Sequence, residues 1–290
     1  MSAPSAKGPP VTGAAQVAGV AGWPIAHSLS PVLHNAWIAA AGLDAVYAPF
    51  AVRPEQAAAA FKSIAALGLR GLNVTVPHKE AALAAADEAT PTAQRIGAAN
   101  LLTVREDRSL LADNTDAHGF LDGLARAGVQ TGERAVLLGA GGAARAVVAA
   151  LADAGWRALV IVNRDQAKAA ALCALATDLG LPAQALGWDK VAEALNGAGL
   201  VVNATSLGMT GAPPLEVDLS NVAAGGAVYD LVYTPRETAL LKAARARGLV
   251  AVEGLDMLIG QARPSFEAFF GAAPPESIDA RALLEQALGG

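Results

Sequence analysis

One cysteine, Cys173, stands among 290 residues, so no intrachain disulfide can form. A lone thiol suits a reducing, cytoplasmic setting, and a chain of this length can bury a core large enough to fold without staples. Charged residues are sparse, at 16%, and cations are the minority: 21 Lys and Arg against 26 Asp and Glu give a net charge of −5. With a pI near 5.4, no basic face is expected for nucleic acid. Aromatics make up only 4%, and Trp23, Trp37, Trp156 and Trp188 are scattered, which assigns them to core or surface. Long apolar runs are missing too. The longest stretch without Asp, Glu, Lys or Arg, from Gly8 to Leu43, is broken by Pro24, His27, Pro31, His34 and Asn35. No segment therefore reaches the ~18 apolar residues of a membrane span. The N-terminus offers one base, Lys7, and no apolar stretch after it, so no signal peptide is expected. His27, His34, His78 and His118 form no zinc spacing, and no metal is expected. What the chain does have is apolar residues, at 53%, which excludes disorder over most of its length. The length itself predicts two domains.

The pattern then alternates. Residues up to about Ala14 are Pro, Gly, Ala and Ser, and read as a loose tail. Strands are expected at 16–21, 45–50, 72–76, 101–104 and 110–112, with helices at 30–41 and 53–67 and another from Lys79. A second alternating run follows, with strands at 135–138, 159–162, 183–186, 200–203 and 228–231. Its helices fall at 143–154, 165–179, 238–247 and 257–270, with a last helix at 279–288. Such alternation predicts βαβ units and mostly parallel sheets, with a domain boundary near Asp113 to Asp116.

Gly139-Ala140-Gly141-Gly142-Ala143-Ala144 follows an expected strand and opens an expected helix. In that setting Gly139 permits a tight turn, Gly141 lets the backbone approach a pyrophosphate, and the helix N-terminus offers free N–H groups. The end of the next strand selects the dinucleotide. An NAD site places an acid there for the ribose hydroxyl, whereas this chain has Asn163-Arg164, with Lys168 shortly after. A guanidinium and an ammonium favour the 2′-phosphate of NADP. Asp165 either opposes that phosphate or caps the following helix.

Three further segments are polar in apolar surroundings: His27-Ser28-Leu29-Ser30, Asn73-Val74-Thr75-Val76-Pro77-His78-Lys79 and Asp113-Asn114-Thr115-Asp116. Each follows an expected strand, where open α/β sheets bind ligands. Each also has a local explanation. Ser30 and Asp116 suit helix N-caps, Asn73 a partner for loop backbone, and Lys79 a solvated charge. Together they offer hydroxyls, amides, an ammonium and a carboxylate to a small polyhydroxylated ligand.

These segments, with Gly22-Trp23-Pro24-Ile25-Ala26 before them, resemble the shikimate dehydrogenase family. The resemblance runs on through Gly97-Ala98-Ala99-Asn100, the glycine turn, Asn163-Arg164, Asn203-Ala204-Thr205-Ser206-Leu207-Gly208-Met209, Tyr229-Asp230-Leu231-Val232-Tyr233 and Gln261. It implies a two-domain α/β fold with a deep cleft. An N-terminal substrate-binding domain (1–115, completed by 256–290) would accompany a Rossmann-type NADP-binding domain (116–255). It further implies that Ser28 and Ser30 bind a substrate carboxylate, while Thr75, Lys79, Asn100, Asp116, Tyr233 and Gln261 surround its hydroxyls and reacting carbonyl. Gly139, Ala140, Gly141, Gly142, Ala143, Asn163, Arg164 and Lys168 would hold the cofactor, with Thr205, Ser206, Met209 and Gly254 beside it. The implied reaction is reversible, NADP-dependent reduction of 3-dehydroshikimate to shikimate on the route to chorismate and the aromatic amino acids. Lys79 and Asp116 would be the catalytic pair, with Lys79 either passing the proton or stabilising charge. The chain departs from the family pattern at His78, often Phe, at Leu101, often Thr, and at Asp165, often Thr or Ser. A quinate dehydrogenase using NAD, and a nucleotide sensor without turnover, are the rival expectations. A monomer or homodimer is expected, with no partner beyond its small molecules.

Overall fold

The computed structural model describes residues 11–289. Most of the N-terminal tail expected from the sequence lies outside them. Its described end is not loose: Thr12 donates both its N–H, at 3.1 Å, and its hydroxyl to the Asp44 carboxylate. The chain divides into two compact units. One runs to Thr115 and resumes at Ala262; the other spans Asp116–Gln261. The second division falls later than the expected residue 256, inside one continuous helix, Gly254–Phe270.

The first unit holds a six-stranded sheet built from β1 (Gln16–Gly22), β2 (Ala45–Ala51), β3 (Gly71–Val74), β4 (Glu88–Ala89), β5 (Leu101–Val104) and β6 (Leu110–Asp113), in the order β2-β1-β3-β5-β6-β4. β1 runs parallel to β2 and β3, but β5 is antiparallel to both β3 and β6. The sheet is therefore mixed. The reason is local: β5 and β6 are joined by a tight turn in which Arg105 N–H donates to Ser109 O and Arg108 takes φ 69°. A link so short can only reverse the chain, because a parallel pair needs a crossover. Among the helices of this unit are α1 (Ser30–Ala40), α2 (Ala57–Lys62), α3 (Lys79–Ala85) and α4 (Pro91–Ile96). The long helix expected at 53–67 is only a 3-10 turn at Pro54–Gln56 followed by α2. Trp37, Tyr47, Phe61, Phe266 and Phe269 fill the core.

The second unit holds six parallel strands, β7 (Ala135–Leu138), β8 (Leu159–Val162), β9 (Ala183–Leu186), β10 (Leu200–Asn203), β11 (Ala227–Asp230) and β12 (Val250–Glu253), in the order β12-β11-β10-β7-β8-β9. Its helices are α5 (Asp116–Arg126), α6 (Gly142–Asp153), α7 (Gln166–Asp178), α8 (Val191–Leu195) and α9 (Ala239–Ala246), followed by α10 (Gly254–Phe270). A last helix, α11 (Ala280–Gly289), belongs to the first unit. Strands β7, β8, β10 and β11 are buried along their whole length, as helices on both faces require. The chain winds outward from β7 through β8 to β9, then returns to the other side of β7 with β10. The carboxyl ends of β7 and β10 thus form the switch point at which such sheets bind ligands. Among the described residues no helix is long and apolar enough to cross a membrane.

Candidate active site

In the first unit the polar segments gather at the ends of β1 and β3. Thr75 follows β3, and its N–H donates to Ala21 O at 2.9 Å. The chain then turns, with His78 N–H on Thr75 O at 3.0 Å and the buried His78 ring, through Nε2, 2.7 Å from Val52 O. Lys79 opens α3 half-buried, and its carbonyl accepts Ala99 N–H at 2.9 Å. That bond ties the Asn100 segment to the lysine. Ser30 does not cap α1 as expected. It is the first helical residue and buried, Leu29 holds the capping position, and the half-buried Ser28 Oγ accepts Ser30 N–H at a long 3.4 Å. Pro31 falls in the first turn of the helix, where its missing N–H costs no hydrogen bond.

Asn100 is buried and held on two sides. Its Oδ1 accepts Thr115 N–H at 2.7 Å, and its Nδ2 donates to Thr115 Oγ1 at 3.0 Å. Asn73 Nδ2 donates to Asn100 O at 3.2 Å and to Ser265 Oγ at 2.8 Å, while Asn73 Oδ1 accepts from Tyr47 Oη at 2.7 Å. Asn73 thus does more than serve loop backbone. A buried carboxamide with both ends occupied has one orientation, because an unpaired polar group there costs about 1–3 kcal/mol. Asp116, buried, follows Thr115 directly as the first residue of α5, so it lies inside the helix rather than at the cap.

In the second unit Gly139 follows β7 with φ 105°, a value that side chains rarely adopt. A Cβ there would meet the Ala204 backbone and Thr205 Cγ2 at 3.0 Å, so the glycine turn and the segment after β10 abut. Gly141 is extended and caps α6 without a side chain, Gly142 opens that helix, and nothing lies within 4 Å of a Cβ on Gly141. Bare helix N–H groups beside open space fit the pyrophosphate of a dinucleotide. Ala140 and Ala143 lie half-buried on either side of this turn.

The loop 203–209 is built on Asn203. Its Oδ1 accepts Thr205 N–H at 3.0 Å and Thr205 Oγ1–H at 2.7 Å, and its Nδ2 donates to Leu207 O at 3.1 Å and Asp230 Oδ1 at 2.8 Å. Asp230 also accepts Thr238 Oγ1–H at 2.6 Å and Val232 N–H at 3.0 Å. Burial raises its pKa, and these hydrogen bonds oppose the rise. Ser206 is exposed and its carbonyl accepts Met209 N–H at 3.2 Å, leaving Met209 half-buried. Gly254 opens α10, where a Cβ would strike Leu231 O at 2.6 Å. Tyr233 is half-buried, and Gln261 is buried with Nε2 on Leu258 O at 2.9 Å.

Beyond β8, Asn163 Nδ2 holds Asp165 O at 2.9 Å. Asp165 caps α7, its Oδ1 accepting Ala167 N–H at 3.0 Å and Lys168 N–H at 3.1 Å. Arg164 and Lys168 are exposed. Among the described residues no three His, Cys, Asp or Glu side chains converge as a metal site. Tyr47, Ser265, Asp230 and Thr238 carry hydrogen bonds whose roles sequence reasoning missed. For Asp230 alone a signal existed, an acid ending an apolar strand.

Family models match both units: the shikimate dehydrogenase substrate binding domain at residues 20–102, shikimate / quinate 5-dehydrogenase at 124–210, and the shikimate 5'-dehydrogenase C-terminal domain at 254–284. A relative from Rhodospirillum rubrum, shikimate dehydrogenase (NADP(+)), is 53% identical over 91% of this chain and 95% of its own. Among solved structures, shikimate 5-dehydrogenase from Thermus thermophilus, in complex with NADP(H) and shikimate, has a TM-score of 0.80 and 38% identity, covering 93% of this chain and 99% of that one. Quinate dehydrogenase from Corynebacterium glutamicum, in complex with NAD, has a TM-score of 0.85 and 31% identity over 95% and 99%. With matches of this depth spanning both the carboxamide network of the first unit and the glycine turn of the second, the chain belongs to the shikimate dehydrogenase family.

Proposed function

We propose that this chain is an NADP-dependent shikimate dehydrogenase that interconverts 3-dehydroshikimate and shikimate. The observation that carries the proposal is the pairing, in one chain of this family, of two prepared sites. One is a glycine turn open at Gly141, with Arg164 exposed beyond the next strand. The other is a set of hydroxyls, a carboxamide and an ammonium on a buried hydrogen-bonded frame. Gly139, Ala140, Gly141, Gly142 and Ala143 hold the pyrophosphate, Asn163, Arg164 and Lys168 the adenosine end, and Thr205, Ser206, Met209 and Gly254 border the nicotinamide. The bound dinucleotide supplies or takes up the hydride.

The protein's own groups do the rest. Ser28 and Ser30 hydroxyls donate to the substrate carboxylate. Thr75, Asn100, Tyr233 and Gln261 orient the ring through its hydroxyls. Lys79 places positive charge and a proton at the carbonyl oxygen as it becomes an alkoxide, and Asp116 orients both the lysine and a substrate hydroxyl. The lone cysteine supports a cytoplasmic setting, and the reading requires no partner beyond the small molecules, as monomer or homodimer.

A crossed assay tests the proposal: shikimate and quinate, each with NADP and NAD, followed at 340 nm. Strong preference for shikimate with NADP is expected. Activity mainly with quinate or NAD overturns the specificity. Dinucleotide binding without any turnover moves the chain to a sensing role.

A further inference from the structure

Ser265 lies in the half of α10 that belongs to the first unit, fully buried, far along the chain from every residue it serves. Its Oγ accepts Asn73 Nδ2–H at 2.8 Å and sits 3.4 Å from Thr115 Oγ1. The hydrogen-bond inventory gives these contacts a direction. Asn73 must present its amide nitrogen to the Asn100 carbonyl, at 3.2 Å, because a carbonyl can only accept. Its Oδ1 then faces the Tyr47 hydroxyl, which donates at 2.7 Å. The second Nδ2 hydrogen goes to Ser265 Oγ, which also lies within hydrogen-bond distance of Thr115 Oγ1. Thr115 in turn dictates Asn100: its N–H demands Oδ1 at 2.7 Å, and its Oγ1 receives Nδ2–H at 3.0 Å.

Two routes thus run from Ser265 to Asn100. One passes through Asn73 to the Asn100 backbone; the other passes through Thr115 to the Asn100 side chain. An alanine at 265 would leave an Asn73 N–H without its acceptor in a buried site and release Thr115 from one side. Either change loosens Asn100, and a polar network is felt as a unit when one member is lost.

We infer that Ser265 is a positioning residue for substrate binding, fixing the pose of the Asn100 carboxamide through Asn73 and Thr115. This rests on the shikimate dehydrogenase reading above, in which Asn100 binds a substrate hydroxyl.

The test is steady-state kinetics on the full chain, for wild type, Ser265→Ala, Asn100→Ala and the double variant. Ser265→Ala is expected to raise KM for shikimate about 3- to 10-fold, the worth of one hydrogen bond. KM for NADP stays at the wild-type value. In the Asn100→Ala background the same substitution gives no further rise, because the group it positions is gone. An unchanged KM for shikimate overturns the inference, as does an equal rise with or without Asn100 or a parallel rise in KM for NADP. Should Ser265→Ala fail to fold, Ser265→Cys keeps the volume while weakening the hydrogen bond, and is judged by the same criteria. A wild-type chain that does not turn over shikimate overturns the functional reading itself, whereas an active wild type with an indifferent Ser265 overturns only this inference.

Discussion

The Asp230 carboxylate accepts the Asn203 side-chain amide at 2.8 Å, clasping the ends of two neighbouring parallel strands, β10 and β11. Because Asn203 also holds Thr205 through its Oδ1, Asp230 indirectly anchors the loop 203–209. Asp230→Ala strands the Asn203 amide and the Thr238 hydroxyl in a region without solvent. Each orphaned group costs about 1–3 kcal/mol, so a loss of about 2–6 kcal/mol in urea unfolding is expected. KM for NADP rises and KM for shikimate does not. Wild-type stability together with wild-type NADP kinetics would refute the anchoring role.

Gly139 and Gly141 separate fold from ligand. At Gly139 a Cβ meets protein backbone at 3.0 Å and φ is 105°, so Gly139→Ala is expected to lose about 1–3 kcal/mol of stability. At Gly141 no protein atom lies within 4 Å of the added methyl. Gly141→Ala is expected to unfold within about 0.5 kcal/mol of wild type. The methyl enters the space assigned to the pyrophosphate, and crowding of that kind weakens NADP about 10- to 100-fold. Thermal melts and NADPH fluorescence titrations of both variants check the pair. Equal NADPH affinity for Gly141→Ala and wild type would remove the turn from the cofactor site.

How much of this was legible in the sequence follows from burial. β7, β8 and β10 read directly as apolar runs, because a strand covered on both faces has no polar side to show. β12 escapes such a reading: Val250 is exposed and Glu253 is spent on ion pairs with Arg236 and Arg245. β4 is two residues long, too short for any period. The start of α1 was legible from Ser30-Pro31 to within one residue, but its cap was not: Leu29, with no side-chain acceptor to signal the role, holds that position. In the site, the glycine turn speaks through its flanking strand and helix. Tyr47 and Ser265 are silent, since each meets Asn73 only across a long separation, 26 and 192 positions of chain. The roles of Ser28, Thr75 and Asn100 came from family resemblance, not from spacing.

His34 is fully buried, its ring stacked on Tyr47 at 4.1 Å, and neither ring nitrogen has a hydrogen-bond partner. Burial lowers its pKa to about 3. In the unfolded chain a histidine titrates near ~6.5, so below that pH the unfolded state takes a proton that the folded state refuses. Stability is therefore intact above pH ~6.5 and falls as the pH drops from ~6.5 towards ~3. At pH 5 the loss from this one group is about 2 kcal/mol. Urea unfolding at pH 8 and pH 5 isolates it: the difference between the two is expected to shrink by about 2 kcal/mol in His34→Leu relative to wild type. An unaltered difference would mean that the folded protein accommodates the charged ring.

Lys79 belongs to the first unit and the glycine turn to the second, so chemistry and cofactor binding should separate on substitution. Lys79→Ala is expected to lower kcat about 10²- to 10⁴-fold, the usual worth of a proton-transferring group, with the NADPH dissociation constant unchanged. If kcat stays near wild type, Lys79 neither passes the proton nor stabilises the developing charge.

Cofactor choice turns on two adjacent residues. Asp165 could repel a 2′-phosphate, but its carboxylate is engaged by two N–H groups of α7 and lies 4.0 Å from Lys168 Nζ. Arg164, exposed, makes no ion pair or hydrogen bond among the described residues, which leaves its guanidinium to an incoming anion. A charge-assisted hydrogen bond is worth about 1.5–3 kcal/mol, so Arg164→Ala is expected to raise KM for NADP about 10- to 100-fold. KM for NAD, which has no phosphate there, stays constant. Asp165→Ala loses the cap and about 1 kcal/mol of stability, without turning the enzyme towards NAD. Kinetics with both dinucleotides decide the matter: an Arg164→Ala variant impaired equally with NADP and NAD acts through folding or general charge, and the 2′-phosphate must then be read by another cation.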